Sequence, residues 1–340
     1  MFRKFIRLSF LLSVVLLAFS AVSMAASGED EDKTSFIMHH IKDSHEWHFA
    51  TLGHTHITLP LPVIVYSGDR GFEFFSSSSF VDSETHHFGV EHEGYYIDEH
   101  DKLQAVDESR SFIDVSITKN VAMLFLVIGV TLYLMLGASK HYKKHPNRAP
   151  KGIASFVEPI VVFVRDEIAR PNIGPKYKKF TPYLLSLFFF IWIGNLLGLL
   201  PGAANLTGNI AVTVTLAMIT FFVTNFNGNK AYWKHVVATP GVPIPLLLII
   251  VPVEIIGLFT KPFALTVRLF VAITAGHIVI LSFIGLIFVF ESYAVGVAST
   301  LMVVFINVIE LLVATIQAYV FTLFSAMYIG AAVAEHGHDH

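Results

Sequence analysis

Apolar residues in this chain gather into long runs, not into the short alternating patterns of a water-soluble core. Runs fill 119–138, 182–200, 209–226, 246–290 and 294–333, with few charges inside them. About 20 mostly apolar residues suffice to carry an α-helix across hydrocarbon. The pattern therefore predicts an all-α membrane protein over 119–340. The last two runs are longer than one crossing requires. As α-helix, 246–290 would measure about 67 Å at 1.5 Å per residue, more than twice the roughly 30 Å hydrocarbon thickness. Either it crosses twice, with a turn at Lys261-Pro262 and the C-terminus outside, or it lies steeply tilted and 294–333 returns beside it.

The polar segments set the rest of the organisation. Arg3, Lys4 and Arg7 precede the apolar stretch Leu8 to Ala21, and Ser23-Met24-Ala25 offers a small-residue cleavage pattern. Residues 1–25 thus read as a secretory signal peptide, cleaved after Ala25 or Ala26. A plain first transmembrane helix is the alternative, but the apolar core is short and is followed by acids, not by a basic flank. Residues 26–118 form an extracytoplasmic extension with 18 Asp/Glu, 5 Lys/Arg and ten histidines: 39, 40, 45, 48, 54, 56, 86, 87, 92 and 100. Imidazole is a common metal ligand, yet no HExxH or similar helical spacing appears; a solvated acidic domain is the better reading. Phe72, Phe74, Phe75 and serines 76–79 are expected in a turn between short strands.

After the first span, Lys140, Lys143, Lys144, Arg148, Lys151, Arg165, Arg170, Lys176, Lys178 and Lys179 give a positive-inside signature, placing 139–180 in the cytoplasm. Within it Phe156, Val157, Ile160, Val161, Phe163 and Val164 recur near helical spacing. This predicts an amphipathic helix on the membrane or a partner, ended by Pro171-Asn172-Ile173-Gly174-Pro175. The chain has no cysteine, so disulfides and thiolate metal sites are excluded.

The chemistry rests on a few ionisable residues in the two long runs: Glu254, Lys261, Arg268, His277 and Glu310. Sevenfold spacing puts Glu254, Lys261 and Arg268 on one helical stripe. Snorkelling to the headgroups accounts for the first two, but poorly for Arg268, whose guanidinium cannot shed its charge. A charge at bilayer depth costs about 2.5–3.5 kcal/mol on insertion scales, which points to an ion pathway. On the second run Glu310 and Gln317 lie two turns apart on one face, with Asn307 one turn earlier. Asn307 and Gln317 can be plain interhelical hydrogen-bond glue. A carboxylate isolated in lipid neutralises or finds a partner, and His277 is the candidate; such a pair can pass protons.

Three segments then resemble one family. Pro252 to Gly276, with Arg-Leu-Phe at 268–270 and Ala-Gly-His at 275–277, is similar to subunit a of the F-type ATP synthase. So are Asn195-Leu-Leu-Gly-Leu-Leu-Pro201 and Ile316-Gln-Ala-Tyr-Val-Phe-Thr-Leu323, in order across roughly 119–333. The resemblance implies the tilted option: five transmembrane helices, N-terminus outside, C-terminus cytoplasmic, and a long slanted C-terminal helical hairpin facing the c ring. It implies a proton-channel stator subunit of the bacterial cell (inner) membrane, with two offset half-channels. It gives Arg268 the place of the essential arginine, His277 and Glu310 the outer channel, and Gln317 the glutamine beside the arginine. Glu254 falls on an acid of the cytoplasmic exit and Asn195 on a polar position near the outer entrance. Many bacterial relatives carry the acid and the histidine in the opposite order. Where many read a polar amide after Arg-Leu-Phe-(Gly/Ala), this chain has Val271-Ala272, so that role does not carry over.

Implied partners are the c-subunit ring, the peripheral-stalk b subunits, the remainder of the ATP synthase complex and the lipid membrane. No nucleic acid, metal or cofactor is expected. The phosphate-binding pattern GxxxxGK[ST] is absent, so the subunit is expected to be non-catalytic. The competing class is a stand-alone secondary transporter, but no internal repeat relates 119–227 to 244–333.

Overall fold

The computed structural model describes residues 43–52, 55–82, 88–98, 101–107, 110–144, 149–200, 203–237, 243–290 and 292–334. The expected signal peptide, histidines 39, 40, 54, 86, 87 and 100, and the tail from Glu335 lie outside the described residues. The described residues divide into two compact units. One contains the extension and the start of the first span with 197–205 and 278–308; the other holds 127–196, 206–277 and 309–334.

The extension is a small β domain. Strands β1 (Glu46–Leu52) and β2 (Thr55–Pro60) pair antiparallel, as do β5 (Tyr95–Ile97) and β6 (Leu103–Ala105). Strand β3 (Pro62–Ser67) lies between β4 (Gly71–Ser76) and β7 (Phe112–Asp114), antiparallel to both. Period-two alternation turns Val63, Val65 and Ser67 inward. They meet a core built on Phe80, Tyr95, Ile97 and Leu103, with Phe75, Phe88 and Phe112 packed against it.

Of the turn expected over Phe72, Phe74, Phe75 and serines 76–79, only the serine end turns; the phenylalanines lie in a strand. Residues 68–70 make the turn ahead of that strand, β4, and Gly71 at its start carries the positive φ of 77° that only glycine adopts at no steric cost. Ser77–Phe80 forms one 3-10 turn. Two of the histidines have structural places: His92 packs edge-on to Phe75 and Phe80, and His45 is buried with Nε2 3.7 Å from Asp114 Oδ2. Among the described residues no three His, Cys, Asp or Glu come together as a metal site.

Burial by itself raises the Asp114 carboxyl, but the imidazole of His45 and the hydroxyl and amide of Ser116 outweigh it and hold the group below the usual carboxylate range. A depressed folded-state value adds stability above the ordinary Asp titration, lost as pH falls through the lower value. Acidification below about pH 4 is therefore expected to loosen β3 and β7, and Asp114→Asn to flatten that response. Amide hydrogen exchange of the full chain across this range measures both; an unchanged acid response in the variant would refute the assignment.

Helix α1 (Lys119–Lys144) extends beyond the expected 119–138 span into its basic flank. The predicted amphipathic helix starts three residues early as α2 (Ile153–Phe163), winds as a π-helix over Val164–Ala169, and ends with α3 (Arg170–Ile173). Gly174 at φ 70° and the turn Gly174–Lys176 separate it from α4 (Tyr177–Gly198). Asn209 caps α5 (Ile210–Phe226) by accepting a bond from the Ala211 amide, the usual N-cap use of an Asn side chain. A short helix that the apolar pattern did not predict, α6 (Lys230–Val237), follows.

Helices α7 (Ile244–Phe290) and α8 (Tyr293–Val333) are each continuous. Lys261-Pro262 is not a turn: α7 runs straight through it, with Thr266 Oγ1 bonded back to the Pro262 carbonyl. A helix of 47 residues is about 70 Å long, so within a bilayer it must tilt or protrude. Among the described residues four helical segments are long and apolar enough to cross a membrane, or five if α5 and α6 are one bent span.

Inside the second unit the helices are stitched by hydroxyls and amides, as expected where lipid removes the hydrophobic drive between helices. The inner face of α5 is polar: Thr213, Thr220, Thr224 and Asn225 are buried. Tyr183 and Thr220 hydroxyls are 2.7 Å apart, and Tyr232 donates to Asn225 Oδ1 at 3.0 Å. At the end of α8, Gly330 lies directly on the Asn172 carbonyl, leaving no room for a Cβ. Gly330→Ala is expected to prevent this seating and reduce the amount of the chain recovered from membranes severalfold; wild-type recovery would refute it.

Candidate ion-conducting site

Arg268 is exposed on the surface of α7. Its guanidinium carbon lies 4.2 Å from the centre of the Phe324 ring on α8, and no described carboxylate pairs with it. Seven residues earlier, Lys261 Nζ lies 5.6 Å from the ring centre of Tyr328. Two cations two turns apart on α7 thus meet two rings one turn apart on α8. A cation over an aromatic face gains about 0.5–2 kcal/mol. That is less than the roughly 2.5–3.5 kcal/mol of bringing a charge to bilayer depth, so the ring alone does not compensate Arg268. Ala264, Val271 and Ala275 are exposed with Arg268 at spacings of four, three and four. They share its face, and small side chains there allow another helix to approach closely.

Glu310 presents the opposite case. It is 2% exposed, and both carboxyl oxygens lack a hydrogen-bond partner among the described residues. The carboxyl packs on Gly276: a Cβ there would stand 2.9 Å from Oε1 and 3.1 Å from Cδ. His277 is the expected partner of Glu310, and no hydrogen bond joins it to the carboxyl oxygens here. The contact goes to the glycine immediately before His277, whose own side chain is half-buried.

Asn195 is buried and satisfied at both ends. Its Nδ2 donates to the Ala314 carbonyl at 3.1 Å and its Oδ1 accepts from Thr207 Oγ1 at 2.7 Å. It therefore ties α4 to α8 one turn beyond Glu310. Gln317 is half-buried and makes no hydrogen bond with a described residue, Arg268 included. Glu254 is half-exposed, with His235 Nδ1 of α6 3.7 Å from Oε1. Sequence reasoning did not single out Gly276, Thr207, His235, Phe324 or Tyr328. Gly276 lay inside the Ala-Gly-His motif; the rings carried no signal among so many aromatic residues.

The all-helical part of the chain thus holds a cation beside an aromatic ring, a buried carboxyl and a satisfied amide, that of Asn195. A family model described as ATP synthase A chain matches residues 121–330, and one described as Domain of unknown function (DUF8433) matches 36–124. ATP synthase subunit a of Chloroherpeton thalassium is 49% identical over 231 residues, 66% of this chain and 69% of the relative. ATP synthase subunit a 2 of Chlorobium luteolum is 41% identical over 320 residues, 92% and 79% of the two chains. ATP synthase subunit a of Anaeromyxobacter sp. is 41% identical over 331 residues, 93% and 74%. With the family model covering most of the chain and these relatives matching it almost end to end, the chain belongs to the ATP synthase subunit a family.

Proposed function

We propose that this chain is the non-catalytic proton-channel subunit of an F-type ATP synthase, held as a stator against the c ring by peripheral-stalk b subunits in a bacterial inner membrane. The observation that carries this reading is Arg268: a permanent cation on an exposed helix face, with no carboxylate partner among the described residues. A carboxylate delivered by the ring completes it. The cation favours the deprotonated form of each ring carboxylate as it passes and blocks a direct hop between two offset half-channels. Glu310, buried against Gly276, takes up a proton from the outer side with His277, and Asn195 fixes the helix that carries it. Glu254 with His235, and the Lys261 end of α7, form the cytoplasmic exit. Gln317 acts beside Arg268 when the ring is present.

In the same reading the signal peptide 1–25 is removed, the extension 26–118 is extracytoplasmic and the C-terminus is cytoplasmic. The absence of cysteine gives a direct test. Ala264→Cys, Val271→Cys and Ala275→Cys are each expected to form a disulfide with a cysteine placed beside the c-subunit carboxylate, on mild oxidation of membranes. Failure at all three positions would overturn the docking.

A further inference from the structure

The β4–β3–β7 sheet of the extension has one face that a domain in water does not ordinarily leave open. Phe112 of β7 packs inward on Tyr95, and Asp114 lies beside the buried His45; Ile113 and Val115 alternate with them on the other face. In register across the sheet, Ile64 faces Phe74, and Tyr66 faces Phe72 on one side and Ile113 on the other. Val115 continues the row, its amide bonded to the Ile64 carbonyl. Phe72 is 64% exposed, Phe74 69%, Ile113 62% and Val115 52%. None of these six residues is charged, in a segment that otherwise carries 18 acids against 5 bases. An antiparallel sheet with one solvated face normally turns polar residues toward the water.

The same strand leads directly into the first span. The ladder continues to Ile117, whose amide donates to the Pro62 carbonyl, and α1 begins at Lys119. The junction is clamped rather than loosely tethered. Asp43 accepts from the Thr118 hydroxyl at 2.9 Å and the Asn120 amide at 3.2 Å, and the Lys119 amide donates to the Ser44 carbonyl. From Val115 to Lys119 is four residues, at most about 14 Å of chain. The outer sheet face is therefore held within reach of the level at which α1, with Phe125 and Leu126 exposed, enters lipid. Trp and Tyr concentrate at that level in membrane proteins, and Phe and Leu supply the buried face of elements that lie in the interface.

We propose that this sheet face is a membrane-seating surface: Tyr66, Phe72, Phe74 and Ile113 rest in the headgroup and upper acyl region of the bilayer, docking the acidic domain on lipid through its uncharged side. The seat requires a membrane but not the proton-channel reading, so the two stand or fall separately.

The lack of cysteine allows a single nitroxide label in this chain at Phe72→Cys, Phe74→Cys or Ile113→Cys, with Gln104→Cys, exposed on β6, as a reference. The whole complex, with cysteines of its other subunits replaced, is reconstituted in phosphatidylcholine–phosphatidylglycerol vesicles. Collision rates are then read with oxygen, which partitions into lipid, and with a water-soluble nickel chelate. At the three sheet sites the oxygen-to-nickel ratio is expected to exceed that at Gln104 at least severalfold. A ratio equal to that of Gln104 would mean a wet face and overturn the proposal. Shielding from both reagents would mean that protein covers the face, whether another subunit, a second copy or other residues of this chain, and would overturn it equally. Three independent sites keep the test decisive if one variant fails to assemble.

Discussion

Arg268→Ala is expected to abolish ATP-driven proton pumping in inverted membrane vesicles while leaving the complex assembled. The size of the effect follows from the missing counter-charge. A guanidinium about 4 Å from a ring carboxylate contributes about 4 kcal/mol at an effective dielectric near 20. At 1.36 kcal/mol per pKa unit, that is roughly three units of preference for the deprotonated carboxylate. Without it, a ring carboxylate stays protonated across the arginine's position, protons pass without driving rotation, and the gradient leaks. Passive proton permeability should therefore rise in the same vesicles. Arg268→Lys keeps a cation and is expected to retain more coupling than Ala. It should still fall short of wild type, because lysine loses its proton when desolvated and lacks the planar group that stacks on Phe324. Normal pumping by Arg268→Ala would sink the mechanism.

The second large effect is expected at Glu310. Glu310→Leu and His277→Leu should each reduce pumping at least about tenfold, and up to the roughly 10²–10⁴-fold attributed to positioned proton-transfer groups. Exchanging the two residues, His277→Glu with Glu310→His, should preserve more pumping than either single loss. The structure adds a constraint that the pairing idea lacked. The carboxyl packs on Gly276, where even a methyl group would meet Oε1 at 2.9 Å. The exchange should consequently fail when Gly276→Val is added, because the larger side chain fills the space the group at 310 occupies. Pumping at the wild-type rate by both single variants would make the pair structural only.

Much of the membrane part was legible because its physics is one-dimensional. A helix in lipid satisfies its own backbone groups, so a run of apolar residues is close to a complete instruction, and any ionised residue within it stands out by its solvation cost. Arg268, Glu310 and Glu254 were visible for that reason. Continuity through Lys261-Pro262 was not: proline weakens a helix locally, and only the surroundings, here with the Thr266 hydroxyl, decide whether it bends or carries on. The β domain was legible as polar and acidic with short strands near its phenylalanines, but not in its pairing, since the strands are three to seven residues long. The clustered phenylalanines there suggested a turn until Gly71 took that place.

The sequence by itself determined the membrane class, the two overlong helical runs, the acidic extension and the few charges that lipid makes expensive, all local properties of composition and spacing. Only the tertiary structure decided what those charges face. Arg268 is turned outward with one aromatic ring beside it, Glu310 inward with its carboxyl on Gly276, and Asn195 is engaged in holding α4 to α8. Such choices depend on which side chains from distant segments arrive within a few ångströms. Helical spacing fixes the face of a residue but not its neighbour.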